Sequence, residues 1–165
     1  MLMPTLTKST VLFLLGISYC VHAAADVQQQ AQQEQGKWMI VNLWAQWCKP
    51  CREEIPALNR LSDMLASSQI EVLGINYDGI EGAELDDAIN SLNIRFPQMD
   101  ARQQASINLK MPAALPATYI VSPTGEVKVS LIGKQNLESI FAAMEHVNPK
   151  FKVNELINNE RMVTP

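Results

Sequence analysis

Cys48 and Cys51 stand two residues apart in Trp47-Cys48-Lys49-Pro50-Cys51, where an apolar, strand-like run gives way to an amphipathic, helix-like one. A thiol at such a junction faces the unpaired amide groups and positive dipole end of a helix, which favour thiolate over thiol and make it nucleophilic at neutral pH. The chemistry this spacing supports is thiol-disulfide exchange. Cys48, expected to be the more exposed and more acidic thiol, attacks a substrate disulfide. Cys51, one helical turn on, then attacks the mixed disulfide and releases the reduced substrate.

The neighbouring residues fit this chemistry. Pro50 fixes φ in the first turn and stiffens the loop. Lys49 is positioned to lower the Cys48 pKa or to serve as a solvated charge. Glu54 follows Cys51 by three positions, so both share one helical face, where a partly buried carboxylate can take or return the Cys51 proton; a surface glutamate favoured by the helix dipole is the plainer reading. Trp47 is expected to pack beside the dithiol, while Trp38 and Trp44 read as structural. An inert staple is the weaker explanation, because so short a loop constrains the unfolded chain little. Structural zinc needs four ligands, and beyond the expected leader the chain offers two cysteines and His146, itself placed as a solvent-facing cation near a helix end.

The elements that must hold these residues follow from hydrophobic periodicity. Trp38 to Ala45 is nearly continuous in apolar residues, as in a central strand covered on both faces, with Asn42 its polar interruption. Ile55, Leu58, Leu61 and Leu65 recur at helical spacing, with Pro56 placed to bend the helix. Ile70 to Tyr77 reads as a second strand, parallel to the first, and Leu85 to Leu92 as another helix. Phe96-Pro97 reads as a turn and 101–109 as a short helix. Ala117 to Val121 and Glu126 to Ile132 flank the turn Ser122-Pro123-Thr124-Gly125 and predict an antiparallel hairpin. Leu137 to Val147 supplies a closing helix capped by Asn136. The order β, α, β, α, hairpin, helix predicts an α/β fold with a mixed sheet.

With 165 residues, 47% of them apolar and 18% charged, the chain fits one compact domain. Lys8, the apolar stretch from Val11 to Tyr19 and the small-residue sites around Ala23 to Ala25 read as a secretory signal peptide over 1–25. The stretch is short for an uncleaved anchor, and Tyr19 before Cys20 argues against a lipidation site. A glutamine-rich lead-in (26–36), the main domain (37–148) and a tail (149–165) follow. Cleavage near Ala25 would remove Lys8 and no acidic residue, leaving 12 basic and 17 acidic residues, a net −5. That balance argues against nucleic acid or an anionic membrane surface as partner. The expected mature protein is acidic, exported and soluble, with Cys48 and Cys51 as its two cysteines.

The stretch Val41-Asn42-Leu43-Trp44-Ala45-Gln46-Trp47-Cys48-Lys49-Pro50-Cys51 resembles the active-site strand and loop of the thioredoxin superfamily. Arg52-Glu53-Glu54-Ile55-Pro56 narrows the likeness to the exported branch that includes TlpA- and ResA-type reductases and the cytochrome c maturation thioredoxins. Ala114-Leu115-Pro116-Ala117-Thr118-Tyr119-Ile120 is similar to that branch's cis-proline loop and following strand, and 78–108 to its central insertion. The resemblance implies a thioredoxin-like fold, a cis bond before Pro116, and a substrate segment pairing with the backbone around Leu115. It strengthens the role of Glu54 and places the non-titrating Asn42 where classical thioredoxins carry a buried acid. One departure is the short lead-in before Trp38, where the branch carries an extra strand or hairpin, so that a sheet edge is expected to lie uncovered.

These readings converge on an exported protein-disulfide reductase with catalytic Cys48, Cys51 and Glu54, substrate-binding Trp47, Leu115 and Pro116, and no bound cofactor or metal. Expected partners are disulfide-containing exported proteins, apocytochrome c among the candidates, and a membrane thiol-disulfide transporter as electron donor; a monomer is the default. Two rivals remain: an oxidase or isomerase of the same fold, and a module carrying Cu(I) on its two thiolates.

Overall fold

The structure is a computed structural model that describes residues 36–154. The expected leader, all but the last residue of the glutamine-rich lead-in, and tail residues 155–165 lie outside the described residues. The described elements are β1 (Trp38–Trp44), α1 (Lys49–Leu65), β2 (Ile70–Asn76), α2 (Gly82–Ser91), α3 (Ala101–Ala105), β3 (Ala117–Val121), β4 (Val127–Ile132) and α4 (Leu137–Val147).

The four strands form one mixed sheet in the order β2-β1-β3-β4. β1 runs parallel to β2, with Trp38 opposite Ile70 and Trp44 opposite Asn76, and antiparallel to β3, with Leu43 opposite Ala117. β3 and β4 form the predicted antiparallel hairpin, with a register shift at Ile120/Val121. At its turn, Gly125 holds φ 80° and approaches the Ser106 carbonyl so closely that a Cβ would collide with it.

Side-chain alternation along β1 divides the core. Ile40 and Trp44 face one layer, in a cluster with Ile55, Leu58, Leu61 and Leu65 of α1 and Ile140 and Met144 of α4. Val41 and Leu43 face the other, with Leu73, Ile75, Met99, Ile107 and Tyr119. Asn42 shares the parity of Ile40 and Trp44, so its amide is carried to the α1 side. The mixed α/β architecture matches the sequence expectation.

α1 continues through Pro56 as one helix. Its buried stripe, Cys51, Glu54, Ile55, Leu58, Asn59, Leu61 and Leu65, follows the three-and-four spacing of an amphipathic helix. α4 begins at the predicted cap, Asn136, whose side chain accepts from the Ser139 N–H at 2.9 Å, in a reciprocal box with the Ser139 hydroxyl.

Two local expectations are corrected. α2 starts at Gly82, three residues before Leu85, and the short helix read over 101–109 is confined to Ala101–Ala105. Pro97, Gln98 and Met99 add a short parallel bridge to the outer side of β2, where the Gly74 N–H reaches the Pro97 carbonyl and the Met99 N–H the Gly74 carbonyl, both at 2.8 Å. The β2 edge is therefore paired at Gly74. In the described part of the tail, Phe151 is buried and lies 6.0 Å, centroid to centroid, from Phe141 of α4.

Candidate redox site

Cys48 and Cys51 are joined by a disulfide, with their Cα atoms 5.3 Å apart. The strand ends at Trp44, and Cys48 becomes the N-cap of α1. Its sulfur accepts the Cys51 N–H at 3.2 Å, and its carbonyl accepts the Arg52 N–H. A Cys48 thiolate would receive that same N–H as a charge-assisted bond, together with the positive end of the α1 dipole. Cys48 is 3% exposed and Cys51 fully covered, so the expected order of exposure holds by a narrow margin and both sulfurs lie inside the surface.

Glu54 sits one turn beyond Cys51 on the buried stripe and is 1% exposed. Each carboxyl oxygen has a donor: the Asn42 amide gives Oε1 a hydrogen bond of 2.7 Å, and the Gln135 backbone N–H gives Oε2 one of 2.8 Å. Burial pushes this carboxyl above its ordinary range, and the Gln135 N–H, the Asn42 amide and the Lys134 charge pull it part of the way back. A buried carboxyl with its proton affinity raised in this way is a candidate to hold or release a proton, one helical turn from a sulfur that water does not reach.

Asn42 also donates to the Thr118 hydroxyl at 3.1 Å, across the β1–β3 pair in which the two residues are opposite one another. The amide oxygen of Asn42 is buried without a hydrogen-bond partner. Below Glu54, Lys134 pairs with Glu53 at 3.0 Å on the surface and holds that carboxyl below its usual range. This pair and the Gln135 N–H tie the loop after β4 to the first turns of α1.

Trp47 is 64% exposed. Its indole N–H points to both oxygens of Asp78, at 3.1 and 3.0 Å, and its ring meets Tyr77 edge-on at 6.4 Å. The Leu115–Pro116 bond is cis and immediately precedes β3. Because Ala117 is opposite Leu43 in β1, this loop lies at the end of the sheet from which the chain runs on to Cys48. Pro116 is buried, its carbonyl accepting the Gly133 N–H at 2.8 Å, and Leu115 is half-buried against both core clusters.

A family model described as the AhpC/TSA family matches residues 19–130. The chain belongs to the AhpC/TSA family. Among curated relatives, it is 30% identical over 114 residues to the thiol-disulfide oxidoreductase ResA of Geobacillus kaustophilus, covering 69% of this chain and 65% of the relative's length. Among solved structures it is similar to StoA from Bacillus subtilis, at 21% identity and a TM-score of 0.54 over 67% of this chain and 84% of that one. A thiol:disulfide interchange protein of the thioredoxin family from Chlorobium tepidum TLS matches with 23% identity and a TM-score of 0.54, over 70% and 82% of the two chains. The fold of this AhpC/TSA family member is thioredoxin-like.

In this AhpC/TSA domain, Cys48, Cys51 and Glu54 occupy the start of one helix, with Trp47 just before them and the Leu115–Pro116 loop at the same end of the sheet. Sequence reasoning did not find Asp78, Thr118, Lys134 or Gln135. Gln135 contributes a backbone N–H, which leaves no mark on residue type. Thr118 and Asp78 depend on strand register and loop path, which spacing along the chain does not reveal.

Proposed function

We propose that this chain is an exported thiol-disulfide oxidoreductase that reduces protein disulfides. The observation that carries the reading is a Cys48–Cys51 disulfide at the N-cap of α1 with a buried, hydrogen-bonded carboxyl one turn further on. In the reduced state the Cys48 thiolate attacks one sulfur of a substrate disulfide; the Cys48–substrate bond forms, and the other substrate sulfur leaves as a thiolate. Cys51 then gives its proton to Glu54 and attacks Cys48. The Cys48–Cys51 bond forms, and the second substrate sulfur departs. Two electrons have moved from the protein dithiol to the substrate.

Trp47 and the Leu115–Pro116 loop flank the dithiol as the surface on which an extended substrate segment would lie. The leader-like start of the sequence supports an exported location, and among the described residues no helix is long and apolar enough to cross a membrane. An export compartment lacks the cytosolic reductases, so a membrane thiol-disulfide transporter is the proposed electron source, and exported proteins with disulfides, apocytochrome c among them, the proposed substrates. Proline before Cys51, where strong oxidants of the superfamily often carry histidine, favours reduction over oxidation.

Insulin reduction by the dithiol form, together with its midpoint potential, tests this reading. Turnover with a potential more negative than about −220 mV is expected; a value near about −120 mV would assign the oxidase direction instead. Stoichiometric copper on protein purified reduced and without oxygen, combined with no insulin reduction, would assign the carrier.

A further inference from the structure

Three buried side chains from three elements form a chain of hydrogen bonds: Glu54 of α1, Asn42 of β1 and Thr118 of β3, none more than 1% exposed. Both bonds leave Asn42 from one end, the amide nitrogen, while the amide oxygen at the other end is buried and unpartnered. The orientation of this amide is therefore set by its two partners alone, and both partners can change sense. A hydroxyl accepts or donates as its hydrogen rotates, and a carboxyl only accepts when ionised but gains one O–H donor, beside its carbonyl acceptor, when protonated.

We propose that Asn42 is a reversing positioning residue for Glu54: its amide turns over when the carboxyl takes up a proton, and the Thr118 hydroxyl turns with it. With Glu54 ionised, the amide nitrogen donates to both neighbours, as observed. With Glu54 protonated, the amide oxygen faces the same two neighbours and accepts from the carboxyl O–H and from the Thr118 O–H. The carboxyl is thus bonded in either protonation state at a position where an unsatisfied polar group is costly. A fixed amide would offer only a donor: the carbonyl oxygen of the protonated carboxyl could still accept it, but the new O–H would find no acceptor on Asn42, and that bond is what the reversal gains.

The groups that face Glu54 are consistent with control by this pair. Asn42 from β1 and, behind it, Thr118 from β3 are neutral and do not titrate; the loop after β4 brings the Gln135 N–H and one charge, Lys134. Lys134 biases the carboxyl toward ionisation, and burial biases it the other way. The catalytic meaning of the reversal, proton exchange with Cys51, rests on the oxidoreductase reading above; the reversal itself does not require turnover.

The test is nuclear magnetic resonance on the full chain in its disulfide form, labelled at the asparagine side-chain nitrogen and the glutamate carboxyl carbon, across a pH titration. Above the Glu54 midpoint, the Asn42 amide protons should show contacts to the Glu54 and Thr118 side chains. Below it both contacts should be lost, with the same midpoint as the Glu54 carboxyl shift, and Glu54→Gln should abolish the step. Amide contacts that persist while the carboxyl titrates overturn the proposal. So does a step that survives Glu54→Gln, or a Glu54 carboxyl that shows no titration over the pH range in which the protein stays folded. A fixed amide in a protein that reduces insulin sinks this inference alone; a reversing amide in a protein that performs no exchange sinks the oxidoreductase reading and leaves the reversal standing.

Discussion

The side-chain amide of Gln98 occupies the space above Gly74 that a Cβ would fill, and from there its oxygen accepts the Trp44 indole N–H at 2.9 Å. A glycine in the middle of β2 thus lets the insertion after α2 dock against the sheet and satisfy a tryptophan buried one strand away, three residues before Trp47 and the dithiol.

Gly74→Ala is expected to destabilise the domain by about 1–3 kcal/mol through overpacking, measured by denaturant unfolding. Gln98→Ala should also destabilise, because it leaves the buried Trp44 N–H unpaired, by about 1–3 kcal/mol. The two share one contact, so the double variant should lose less than the sum of the singles. Strict additivity would show that the Gln98 amide does not depend on the space above Gly74.

Glu54 gives the stability of the oxidised protein a defined pH dependence. Its carboxyl is raised by burial above the ordinary value of 4.5. Between that unfolded value and the higher folded one, the native state binds more protons than the unfolded state. Its stabilising contribution is therefore complete below the unfolded value and is lost as pH rises through the folded one. Glu54→Gln should remove this downward slope, and the difference between wild type and variant across a pH series of denaturant titrations isolates it from Glu53, whose shift has the opposite sign. Parallel curves for the two proteins would contradict the assignment.

Trp47 has most of its surface in solvent, so its truncation should leave stability within about 0.5 kcal/mol. If it lies under the substrate, Trp47→Ala should raise KM for a peptide disulfide several-fold and change kcat little. Asp78→Ala, which frees the indole to reorient, should do the same to a smaller degree. Steady-state kinetics separates the outcomes: a fall in kcat at constant KM would place Trp47 in the chemistry rather than in binding.

The proposed exchange gives the two sulfurs different tasks, and trapping tests that division. Cys51→Ala should leave substrate proteins bound to Cys48 as mixed disulfides, recoverable from cells and released by reductant, whereas Cys48→Ser should capture none. No adducts from Cys51→Ala, with Cys48 confirmed reduced, would count against disulfide exchange as the activity.

Much of this domain is written in local sequence. The continuous apolar run of β1, the three-and-four spacing from Cys51 to Leu65, the Ser122–Gly125 turn and the Asn136 cap each act over a few residues, so their type and order read directly from the chain. The dithiol and Glu54 belong to that level too, since helical periodicity alone puts Cys51 and Glu54 on one face. Tertiary structure decided what lies opposite. Strand register sets Thr118 across from Asn42, the loop after β4 brings the Gln135 N–H to a carboxyl 81 positions away in sequence, and the backbone path after β2 delivers Asp78 to Trp47. Such contacts join residues far apart along the chain, often through backbone atoms that every residue possesses, so no residue type announces them. The sequence names the candidate groups; only the packed sheet determines which donors and acceptors meet them.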